Sequence, residues 1–101
     1  MSHNDLEKRI LQEMHEVRDW ISIAHALTLI GRSSFVASGD DVRRVLECVD
    51  RSDVLRLGRI VNRLEAIPKP LPVDAIIDRV MTPGNPADRS GLMMELFIVE
   101  A

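Results

Sequence analysis

His3, His15 and His25 are the chain's histidines and Cys48 its sole cysteine, so any zinc chemistry would have to start from them. Steps of twelve and ten residues do not bring the histidines onto one tight helical face, and Cys48 stands far off in sequence. His15-Glu16 opens the pattern of a helical zinc protease, but Asp19 holds the place of the second histidine. His25, among apolar neighbours, reads as a hydrogen-bonded interface histidine. No glycine-rich phosphate loop, serine elbow or paired-cysteine motif occurs. Asp40-Asp41 and the pair Asp74 and Asp78 read as helix-start charges on solvated faces. The chain is therefore expected to be no enzyme, with no catalytic residue, no metal site and no cofactor.

Arginine is the one chemistry-bearing residue type that recurs. Lys and Arg together number 13, and all but Lys8 and Lys69 are Arg, the side chain suited to bidentate contact with phosphate or carboxylate. Arg56, Arg59 and Arg63 fall three and four apart, the spacing of one basic helix edge that meets phosphates or an acidic partner. A solvated face accounts for the same spacing, since Asp53 and Glu65 flank it. The net charge of −3 argues against a polyanion binder acting alone. Residues 32–63 hold seven basic and five acidic side chains, which makes the middle third the one plausible nucleic-acid face.

The elements that position these residues are expected to be helices throughout. Leu6, Ile10, Met14, Val17, Ile21, Ala24 and Leu27 recur at steps of three and four, which predicts one helix over 4–30. From Trp20 onward that helix is apolar on nearly every side, and Gly31 ends it. At 1.5 Å per residue it would run about 39 Å, more than a compact chain of this length spans unaided. A homodimer is expected, with Leu6, Ile10, Met14, Val17, Trp20, Ile21, Ala24 and Leu27 at its interface. A bent helix lying across its own domain is the alternative.

A small-residue connector over 31–39 leads to a short helix over 40–49, with Val42, Val45, Leu46 and Val49 inward and Ser38 and Asp41 as a capping pair. A third helix is predicted over 52–65, its stripe formed by Val54, Leu57, Ile60, Val61 and Leu64. Alternate prolines make 67–72 a stiff spacer. A helix fits 73–81, and Asn85-Pro86 opens a last one that packs through Leu92, Met93, Leu96 and Phe97. Only Leu96 to Val99 leaves a strand open as an option. The expectation is an all-α fold, a long N-terminal helix followed by four shorter helices, in an intertwined homodimer. Its parts would be a helical dimerisation core (1–66), the proline-rich spacer (67–72) and a C-terminal helical pair (73–101). No apolar run reaches the roughly 20 residues of a bilayer span, and the polar, acidic start is unlike a signal peptide. With one cysteine and no internal disulfide, the expected compartment is the cytoplasm.

The order of features is similar to that of one family. A long apolar first stretch and a connector with Phe35 and Gly39 precede the run from Asp50 to Leu57, then Asn62-Arg63-Leu64 and Arg89-Ser90-Gly91-Leu92-Met93-Met94. This resembles the small subunit of the flagellar master regulator, the FlhD-type transcriptional co-activator. The resemblance implies an intertwined homodimer that assembles with a larger, zinc-containing, FlhC-like subunit, binds promoter DNA within that complex and recruits RNA polymerase. Matched residue by residue, it places nucleic-acid contacts at Arg32, Asn62, Arg89 and Ser90 and partner contacts at Leu92 and Met94. Arg56, Arg59 and Arg63 join them as candidate phosphate contacts on the basic-edge reading. The chain departs from the family at the connector, which reads Phe35-Val36-Ala37-Ser38-Gly39, and at Glu65-Ala66, where the family carries a cysteine. A protein-interaction module that never meets DNA is the competing reading.

Overall fold

The first apolar stripe is delivered by three elements rather than one helix. The computed structural model describes residues 3–60 and 62–101, with main chain alone for 3 and 4. Helix α1 (His3–Val17) turns Leu6, Ile10 and Met14 inward. Arg18 then adopts φ 55, and the Asp19 N–H donates to Met14 O at 3.2 Å. The left-handed residue stops the helix as a glycine usually does. A two-residue strand β1 (Ile21–Ser22) follows, and Ser22 Oγ accepts the His25 N–H at 3.1 Å to start α2 (Ile23–Thr28). Ile21, Ala24 and Leu27 are as buried as the stripe requires. A step of three or four therefore persists across a strand and a second helix, and periodicity alone does not report the break.

Gly31 closes α2 as its position implied. At φ 75 it forms a Schellman motif, with Gly31 N–H to Thr28 O and Arg32 N–H to Leu27 O, both at 3.0 Å. Helix α3 (Gly39–Arg51) opens with a capping box: Ser38 Oγ accepts the Asp41 N–H, and the Asp41 carboxylate accepts the Ser38 N–H. That backbone hydrogen bond, and behind it the Ser38 hydroxyl and Arg32, holds the Asp41 carboxyl below its ordinary value.

The all-helical expectation is overturned. Where a third helix was expected, the chain makes a hairpin of β2 (Leu55–Ile60) and β3 (Leu64–Ala66). After α4 (Val73–Met81), which lies where the sequence placed it, α5 (Pro86–Met93) stops early and the tail forms β4 (Leu96–Glu100). The fold of the described residues is mixed α/β, five helices with a four-stranded antiparallel sheet in the order β1-β4-β2-β3. Val61, expected in the helical stripe, lies outside the described residues.

Two physical reasons account for the change. Leu55 and Leu57 alternate with Arg56 and buried Gly58, a period of two that a sparse helical pattern also accepts. A Cβ on Gly58 would stand 2.7 Å from Leu64 Cδ1 and 3.2 Å from the Glu65 carbonyl oxygen, so the glycine lets the hairpin close without displacing Leu64. Leu96 to Val99 is a continuous apolar run of the kind a central strand buries on both faces, and β4 lies between β1 and β2.

The helices pack on the face of Leu55, Leu57 and Ile98, which share one buried cluster with Leu6, Ile10, Val45, Leu46 and Val49. Leu71, Ile76, Val80 and Met93 belong to that cluster, so the C-terminal third completes the core begun by α1 to α3. The proline segment is fastened to it. Leu71 N–H donates to Asp50 Oδ1 at 2.8 Å, and Lys69 Nζ donates to the Ser52 carbonyl. The Lys69–Pro70 bond is cis. No helix among the described residues is long and apolar enough to cross a membrane.

Candidate functional site

The sequence-proposed residues separate into three places. Of those expected at a dimer interface, Leu6, Ile10, Met14, Ile21, Ala24 and Leu27 are consumed by the chain's own core, and only Val17 and Trp20 are exposed. The length argument for a dimer disappears with the long helix that prompted it. Arg32 follows α2 and sets its Nε 3.6 Å from Asp41 Oδ2, beside the α3 cap. Arg89 donates to the Pro83 carbonyl at 2.5 Å, and Ser90 is buried with its hydroxyl 2.6 Å from that of Ser34. Those contacts tie the connector and the turn before α5 to that helix, a structural task. Leu92 packs against the core, and Met94 is 57% exposed just beyond α5.

The remaining four, Arg56, Arg59, Asn62 and Arg63, lie on one hairpin. Asn62 and Arg63 are exposed in its turn, and Arg56 is exposed on the strand opposite Val99. Arg59, half-buried, points to the other face, between its cross-strand neighbours Glu65 and Leu96. The expected helical basic edge is thus split across two faces of a sheet, because a strand sends alternate side chains to opposite sides.

Arg59 opens into a groove. This cavity, about 390 Å³, lies between the β3 edge and α4. Glu65, Ala66, Ile67 and Pro68 form one wall, and Pro72, Ala75, Ile76 and Arg79 the other. Its size falls within the range of small-ligand clefts. The walls are apolar, with two guanidiniums and one carboxylate at hand. Arg79 Nη2 stands 3.8 Å from Glu95 Oε2, with both side chains about half exposed. An exposed pair of this kind contributes about 0.2–1 kcal/mol, so Arg79 is readily exchanged to another acid. Sequence reasoning found Arg59 and missed the rest, since the proline segment read as a spacer rather than a wall. A shared wall is visible only once α4 is folded back onto the hairpin.

A second cavity, of about 380 Å³, is lined by Met14, His15, Arg18, Asp19, Trp20 and Glu100. His15 Nε2 and Glu100 Oε2 approach to 3.2 Å across it, joining the end of α1 to the end of β4. No group of three or more His, Cys, Asp or Glu among the described residues is placed to hold a metal ion.

Comparison with family models, with curated proteins and with solved structures returned no match.

Proposed function

We propose that this chain is a protein-interaction module that captures a partner in the groove between β3 and α4. The observation that carries this reading is the groove itself: an apolar cleft of about 390 Å³ with Arg59 and Arg79 on its walls. Its lining offers van der Waals surface and charge recognition, the equipment of binding. The exposed face of α3 favours a protein over nucleic acid as partner. Asp40, Arg44, Glu47 and Arg51 alternate in charge along it, and Arg43 is held by Asp74 of α4 at 2.6 Å. Such a helix makes a poor major-groove reader.

A photo-crosslinking amino acid placed at Ala75, exposed in the groove, tests the reading in the organism that makes the chain. The expected result is a discrete protein adduct, lost when Arg79 is changed to Glu. Absence of any adduct, or one indifferent to Arg79→Glu, contradicts it.

A second reading is a co-activator subunit that dimerises and contacts promoter DNA jointly with a larger partner subunit and RNA polymerase. It is supported by the gathering of Arg56, Asn62 and Arg63, all exposed, on one hairpin. The same crosslinker at Arg63 separates the two, since this reading requires adducts to DNA from that position.

A further inference from the structure

We infer that the groove takes an extended acidic peptide segment of a partner protein, added to the sheet as a fifth strand beside β3. The inference rests on the reading of the groove as a partner site and names what enters it.

Among the described residues, the sheet order leaves β3 at one edge, paired to β2 alone. Its register fixes which main-chain groups are used. Ile67 N–H donates to Leu57 O at 2.8 Å, and Arg59 pairs with Glu65. In an antiparallel ladder the hydrogen-bonded and non-hydrogen-bonded pairs alternate, so Glu65 and Ile67 bond toward β2. Ala66, opposite Gly58, therefore aims its N–H and C=O outward, away from the sheet. Edge strands are commonly blunted by Pro or Lys. The sequence Leu64-Glu65-Ala66 has neither, and Pro68, at the next outward-facing position, ends the row of donors there.

A strand laid along this edge runs about 4.8 Å from β3 and turns every second side chain toward the groove. There it meets Ile67 and Ile76 as apolar wall and Arg59 and Arg79 as cations. The lining carries two guanidiniums and the Glu65 carboxylate, and Glu95 balances Arg79 until an incoming acid takes its place. An incoming carboxylate gains a charge-assisted contact from Arg79 by displacing only the exposed Glu95 pair. Main-chain bonds would supply affinity, and alternate pockets the specificity. The matching segment carries both Asp or Glu and Val, Ile or Leu at its groove-facing positions, which lie two residues apart.

The test is selection of a random heptapeptide display library on the immobilised full chain, followed by fluorescence anisotropy with a selected peptide. Peptides with an acidic and a branched apolar residue two positions apart are expected. Affinity should fall at least tenfold on Ala66→Pro, which removes an outward donor while breaking no bond to β2, and on Arg79→Glu. It should be unchanged on Val36→Asp, in an exposed turn of the connector. Because a protein variant can misfold, N-methylation of single peptide amides gives a second reading on the unaltered protein. Loss is expected at alternate positions only. A peptide that binds Ala66→Pro undiminished and tolerates N-methylation everywhere overturns strand addition and leaves the partner-site reading standing. A library with no binder above bare matrix also overturns strand addition, and the crosslink at Ala75 then decides the wider reading by itself.

Discussion

Cys48 illustrates how position rather than type decides what a side chain can do. It lies 2% exposed on α3, and burial, with Glu7 nearby, pushes its thiol up from 9.0 to about 11. The fold thus favours the neutral thiol. The unfolded thiol ionises first as pH rises, so this contribution to stability is complete below pH 9.0 and declines as pH climbs toward about 11. A shift of two units leaves about 100-fold fewer thiolates at pH 8. An aromatic disulfide reagent at pH 8 should label the native chain far more slowly than the urea-unfolded one. Equal rates would contradict the burial. Arg59 and Arg79 show the reverse case: ordinary cations by composition, they come to line one groove because β2 and α4 bring them there.

At the scale of elements, the β2–β3 hairpin is the most exacting. Gly58→Ala sets a Cβ 2.7 Å from Leu64 Cδ1 and 3.2 Å from the Glu65 carbonyl oxygen. In a strand, Ala in place of Gly would otherwise stabilise by about 0.5–1 kcal/mol. Here overpacking outweighs that gain, and a net loss of about 1–2 kcal/mol in urea unfolding is expected. Adding Leu64→Ala should recover most of it. A Gly58→Ala chain as stable as the parent would show that the hairpin is wrongly described.

The elements also show what the sequence could convey. Helices α3 and α4 were legible, α3 with its capping pair, because local signals such as Ser38 with Asp41 are decided within one turn. Buried Val42, Val45, Leu46 and Val49 were legible for the same reason. The strands were not. β1 pairs with β4 across most of the chain, Ile21 with Ile98, and no local pattern reports a partner that distant. The left-handed Arg18 that breaks the first helix carries none of the usual signs, since glycine or asparagine commonly fills that position. Of the site, Arg56, Arg59, Asn62 and Arg63 were singled out as nucleic-acid contacts, and all four lie on the β2–β3 hairpin. Their shared helical face dissolved with the helix.

At the scale of the whole molecule, one core spans the chain from Leu6 to Ile98, and the proline segment serves as a wall of the groove as well as a connection. Among the described residues the fold places an unpaired strand edge, an apolar cleft and two arginines side by side, and that juxtaposition carries the proposed partner site. The most direct test is an amide shift map of the ¹⁵N-labelled full chain titrated with the crosslinked partner's shortest binding fragment. The largest shifts are expected at Ala66, Ile67, Ala75 and Arg79. Shifts confined to Trp20 and Glu100, or to Arg56, Asn62 and Arg63, would place the partner elsewhere and contradict the account.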